Sequence, residues 1–552
     1  IAKIRRIIKL KTGSFFVASV LFTIVLALSV GPAVAQDVTP PGKKKYRSFF
    51  DPDLKRFVNM KLVEDRGARN SQRFLVAAIC KGSKPLNDGM TNNTQLFDDY
   101  FMKYYFPMMN HPDEMGNIAE MRLDLMKQYF SVIKNDVNGL AIRDRLNGLT
   151  LKFMTTVIGT RLGEFHPAVR YNAMLILGDL DARGPELFGS PQPADPWQPA
   201  MDVMQTELVS RDQIDAVRVA ALIGIARHAE LDRHRPRDRR LPDAALRPVV
   251  ESLGRLALEN KTPAGRAEAG HLWMRRLAVE ALASFAATRP IGPVAVAIDS
   301  IIADPNEPLP LRVAAARAQG KMMQPVPEGK SAELAALGLA RVAVDSIVAE
   351  LSLLKPYTED LKLKEAALAE RGGAFRGRGA AVNILPGAGG AAAAIDEGPV
   401  ERAPIIERTQ RRLMERLTAV EEGLFGGDGG PGIAVGIKDA DVKAKAEKMK
   451  TELERTMEIL HDSAPSGKEP AAAEVDLFFQ SLAAQGGAFD AIAPNARRVA
   501  EPPPGPEAGP GGGPETAGPD SPGPGPASPA PGPATPEPGP PGGPEVAPGS
   551  AP

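Results

Sequence analysis

The chain has 552 residues, with 67 Lys+Arg against 67 Asp+Glu and a formal net charge of zero, which excludes bulk attraction to nucleic acid or an anionic surface and leaves only local patches to act that way. The single cysteine, Cys80, excludes an intramolecular disulfide and every cysteine-based metal, haem or iron–sulfur motif. Aromatics at 5%, beside 53 Gly and 52 Pro, favour close packing of helices through small residues over large aromatic clefts.

Residues 1–35 read as an export signal. Lys3, Arg5, Arg6, Lys9 and Lys11 form a positive start, Phe15 to Val30 is apolar and uncharged, and Ala33-Val34-Ala35 supplies the small residues of a cleavage site. An uncleaved N-terminal membrane anchor is the alternative, since the apolar run approaches the ~20 residues a spanning helix needs. Either reading places the remainder outside the cytoplasm, in the periplasm or cell envelope or secreted. Residues 36–154 read as an N-terminal helical region. Its apolar stretch Phe74-Leu-Val-Ala-Ala-Ile-Cys80 makes the thiol a core residue rather than a nucleophile.

One pattern then recurs: an apolar residue, Arg, two residues, Ala. It appears at Val169-Arg170-Tyr171-Asn172-Ala173, Val217-Arg218-Val219-Ala220-Ala221, Met274-Arg275-Arg276-Leu277-Ala278 and Leu311-Arg312-Val313-Ala314-Ala315. Val169, Ala173, Leu177 and Leu180 share one helix face, as do Met274, Ala278, Leu282 and Phe285. Pro167, Pro185 and Pro290 punctuate the copies. On these residues the stretch resembles the HEAT-repeat family, whose second helix carries this signature; His166-Pro-Ala-Val-Arg-Tyr-Asn-Ala-Met-Leu-Ile-Leu-Gly178 carries most of the likeness. The resemblance implies an all-α solenoid of stacked antiparallel helix pairs over about residues 155–325, with Arg170, Arg218, Arg275 and Arg312 structural. The arginines stand 48, 57 and 37 residues apart, against a family repeat of ~40–47. The long gaps hold insertions, Pro185 to Pro199 and Leu231 to Pro242, which in a solenoid fall on one face. Gln72-Arg73 and Met121-Arg122 continue the spacing upstream, so decayed repeats are expected within 36–154.

Residues 326–370 read as closing helices, and 371–404, with its Arg-Gly pairs and Gly/Ala run, as a flexible linker. In the 405–493 region, Ile406, Leu413, Leu417, Val420 and Leu424 form one apolar stripe. Val442, Ala446, Met449, Leu453, Met457 and Leu460 form another, across the loop Gly426 to Gly432. This reads as a helical hairpin packed within the chain, with homodimerisation through 405–461 as its alternative. Residues 494–552, rich in Pro, Gly and Ala, read as a disordered tail.

The six histidines are scattered. His228 and His234 flank Glu230 and Asp232 but form no helical metal pair, and no nucleophile elbow or phosphate-binding loop is present. No catalytic, cofactor or metal residue is assigned and no cofactor is expected. The one uneven feature is Arg233, Arg235, Arg237, Arg239 and Arg240, whose planar forks suit carboxylate or phosphate. Two readings stand: a solvated loop partly neutralised by Asp232 and Asp238, or a patch contacting an acidic partner. The expected function is an exported, non-catalytic scaffold that binds an unidentified envelope protein and no nucleic acid. The alternatives are an extracytoplasmic hydrolase with a dispersed site and a self-assembling envelope protein.

Overall fold

A computed structural model describes residues 46–87, 92–159, 165–186, 191–323, 330–376, 403–427, 430–462 and 472–492. The expected export signal and the Pro/Gly tail lie outside the described residues. Among the described residues the chain is all-α, with one short two-stranded hairpin.

The N-terminal part holds α1 (Met60–Glu64), α2 (Arg66–Cys80), α3 (Asn93–Tyr100), α4 (Ile118–Leu125) and α5 (Val137–Ile158). Asp65 starts α2, its carboxylate accepting the amides of Gly67 and Ala68 at 2.7 and 3.1 Å. Helices α3 and α4 each run on into a π-helical turn, Phe101–Tyr105 and Met126–Phe130. The turns meet through Tyr100 and Tyr129, whose hydroxyls are 2.8 Å apart, and through the edges of Phe101 and Tyr105 against Tyr129. The few aromatics of the chain are thus concentrated in one N-terminal core.

Beyond it come α6 (Pro167–Gly178), α7 (Gln198–Val209), α8 (Asp215–Arg233), α9 (Asp243–Leu258), α10 (Glu268–Ala286), α11 (Gly292–Ala303) and α12 (Leu309–Lys321). Then follow α13 (Lys330–Arg376), α14 (Ala403–Phe425), α15 (Ala440–Asp462) and α16 (Ala472–Ile492). Between α6 and α7, β1 (Asp181–Arg183) pairs antiparallel with β2 (Asp195–Pro196). The packing is regular. Helices α6, α8, α10, α12 and α14 lie side by side in one row, and α7, α9, α11 and α13 form a second row against it.

Small residues set the spacing of the first row. A Cβ on Gly178 would fall 2.8 Å from the Gly224 Cα, and one on Gly320 would fall 2.4 Å from the Glu422 carbonyl oxygen. These are the glycines at or near the ends of the repeated pattern. Each lets two helix backbones approach to a distance that any side chain would block.

The C-terminal block differs from a lone hairpin. Helix α14 joins the first row, its stripe Ile406, Leu413, Leu417, Val420 and Leu424 buried within the chain. The Gly427 amide donates to the Gly320 carbonyl at 2.9 Å, fixing the loop to the end of α12. A third helix, α16, follows α15 and packs along α13 through its own stripe of Val475, Phe478, Leu482 and Phe489. Helix α13 continues to Arg376, six residues into the stretch that composition reads as linker; residues 377–402 lie outside the described residues.

Candidate functional site

Three of the four repeated arginines set the rotational register of the first row. Arg170 Nη2 donates to the Ile158 carbonyl at 3.1 Å, Arg218 Nε to Leu208 at 3.0 Å and Arg275 Nε to Ala257 at 2.9 Å. Each of these acceptors lies in the last turn of the preceding helix, where carbonyls have no intrahelical donor. Arg170 also bonds Gln213, just ahead of α8, and Arg275 bonds Glu307, just ahead of α12, at 2.7 Å. Arg312 departs from the series and bonds Asp345 on α13. The upstream pairs behave differently: Arg73 bonds Gln128 and Arg122 bonds Asp179, and neither donates to a preceding helix end.

The arginine-rich loop is largely turned inward. Arg239 grips Asp195 through Nε and Nη2 at 3.1 and 2.7 Å, and Arg235, only 8% exposed, lies 3.1 Å from the same carboxylate. Arg240 donates to the carbonyls of Arg235 and Thr288, and Arg233 lies 3.5 Å from Glu230. Arg237 alone of the five is exposed. Asp195 belongs to the other insertion, 44 residues before Arg239. The two insertions are therefore fastened to each other, and spacing along the chain gave no sign of it.

The remaining chemistry-bearing groups are built into the packing. His228 is fully buried, and burial together with neighbouring Arg227 pushes its ring down to about 3, so it is neutral. Burial would raise the Glu230 carboxyl, but bonds from His234 at 3.0 Å and Ser284 at 2.8 Å, with Arg233 nearby, outweigh it and hold it at about 2. Burial pushes the Cys80 thiol up to about 12, only partly offset by Arg143, which suppresses the thiolate. Among the described residues no His, Cys, Asp and Glu group has a metal-holding arrangement.

A crevice of about 190 Å³ is lined by residues that include Asn260, His271, Arg275, Asp304 and Glu307. It is smaller than the ~300 Å³ at which small-molecule sites begin. Its walls are bonded to one another: Arg275 to Glu307, and His271 between the Glu259 carbonyl at 2.7 Å and Arg266 at 3.1 Å. A carbonyl only accepts, so the His271 proton sits on Nε2 and Nδ1 receives the guanidinium.

The feature left open is the outward face of the first row. The repeated arginine points back toward the second row. Residues one and five places after it, and two before it, lie about 100–160° around the helix and face away. At those places stand Tyr171 and Leu175 on α6, Val219 and Ile223 on α8, and Trp273, Arg276 and Glu280 on α10. The apolar members are part-exposed, whereas the opposite faces of the same helices are fully buried. Sequence reading found the repeat that builds this face but assigned no function to these positions. The helical periodicity relative to the arginine was the available clue.

No family model, no curated protein and no solved structure matches this chain.

Proposed function

We propose that the protein is a non-catalytic, HEAT-like α-solenoid scaffold that acts outside the cytoplasm and holds a protein partner along the outward face of its first helix row. The observation that carries this reading is the common rotational register of α6, α8 and α10. Three arginines fix it, and it aligns part-exposed apolar side chains across successive helices. Stacked helix pairs make extended binding surfaces of this kind. The non-catalytic part of the reading is supported by what the candidate reactive groups do instead: Cys80, His228, Glu230 and His271 are neutralised by burial or bonded into the frame. The extracytoplasmic part rests on the charged, apolar and small-residue pattern of residues 1–35.

Site-specific photocrosslinking in the native host tests the scaffold. A photoreactive residue at Glu280, on the first row, is expected to trap a discrete protein partner. One at Val296, 58% exposed on α11 of the second row, is expected to trap none. Equal trapping at both positions, or none at either, would sink the reading.

A further inference from the structure

Arg276 is the anomaly on this face. Its neighbour Arg275 is buried and bonded at both ends. Arg276 stands one place further round α10 and makes no hydrogen bond or ion pair among the described residues, although its Nε is buried. A buried donor without an acceptor is costly, and the rest of the Arg276 guanidinium is left without an acceptor as well. Glu280, one turn along α10 and exposed, does not close on it. Around it the outward face is apolar: Trp273 and Leu277 on α10, and Val219 and Ile223 on α8.

Resting on the scaffold reading above, we propose that this face takes a partner protein segment in which one carboxylate is flanked by apolar side chains, and that Arg276 is the anchor for that carboxylate. The two Nη groups, which unlike Nε are not sealed from solvent, offer a planar pair of donors matched to the two oxygens of a carboxylate. With the Nε buried, the guanidinium stays close to the helix surface, so a carboxylate held by its Nη groups brings its neighbours against Trp273 and Leu277. A nucleic-acid backbone or an anionic membrane would present many charges at once. On the same helix it would meet the exposed Glu280, so a single embedded carboxylate fits better than a polyanion.

The chain, immobilised and screened with a random dodecapeptide phage library, gives the test. Enriched peptides are expected to share one Asp or Glu among apolar residues. A synthetic copy of one of them should shift Trp273 fluorescence in a Trp197→Phe background. Arg276→Gln should weaken binding at least tenfold, and Asp→Asn in the peptide should cost about the same, with little further loss when the two are combined. Glu280→Gln, an exposed change that leaves the core intact, should tighten binding a few-fold. No enrichment, enrichment without an acid, undiminished binding by Arg276→Gln in a protein of unchanged melting temperature, or preferential binding of phosphatidylglycerol vesicles or duplex DNA would each overturn the proposal. A partner trapped at position 280 but held equally well by Arg276→Gln would remove the carboxylate anchor while leaving the scaffold standing.

Discussion

Asp299 on α11 is 94% removed from solvent (6% exposed), and neither carboxylate oxygen has a partner among the described residues. Burial alone pushes its carboxyl from 3.8 to about 7. An acid whose folded-state value is raised is penalised as pH rises. Below about 4 the group is protonated in both states and costs nothing through ionisation. Between about 4 and 7 the unfolded chain releases the proton and the folded chain does not, so stability falls by about 1.4 kcal/mol per pH unit. Asp299→Asn keeps the shape and cannot ionise. Chemical denaturation should find it close to the parent at pH 4 and a few kcal/mol more stable at pH 8. Equal stability of parent and variant at both pH values would mean that Asp299 has a partner in solution.

At the scale of elements, the two insertions act as one fastening. Asp195, the first residue of β2, is shared by Arg235 and Arg239 from the loop after α8, while Asp232 holds Arg235, Arg289 and the Leu241 amide. Asp195→Asn would leave the buried Arg235 guanidinium with fewer acceptors and should cost about 1–3 kcal/mol in thermal unfolding. Arg237→Ala, at the exposed arginine of the same loop, should stay within about 0.5 kcal/mol of the parent. Comparable losses from both would show that the loop is loose in solution. The contrast also marks how far the sequence was legible. The repeat, its arginines and the helix faces follow from local periodicity, which is physically encoded within a few turns. The pairing of Asp195 with Arg239 depends on how two distant insertions meet. The arginine cluster therefore reads as a free patch until its partners are in place. Helix α16 went unread although Val475, Phe478, Leu482 and Phe489 keep helical spacing, because its face is matched by α13, about a hundred residues earlier in the chain, as well as by α15. The outward face with Arg276 lay in the same repeat pattern, one residue past the arginine that drew attention.

For the whole molecule, the two rows predict that stability is local. Each helix of the first row touches its neighbours in that row and one or two helices behind it, so loss of one end should be felt mainly nearby. Helix α14 is that end of the row. It covers α12 and α13, and its Arg412 and Arg416 hold Glu350, which is fully buried, at 2.7 and 3.0 Å. That is why removing residues 405–461 is a poor test of homodimerisation: the cut strips the cover from an apolar surface and leaves Glu350 as an unpaired buried charge, which is strongly destabilising in itself. A chain ending at Arg376 is expected to be less soluble. Its hydrogen-exchange protection should fall steeply in α12 and α13, progressively less in α10, and hardly at all in α6 and α8. A graded loss of this kind is the signature of stacked neighbours. Uniform loss of protection from α6 to α13 would instead make the rows a single cooperative globule and remove the physical basis for reading them as a solenoid.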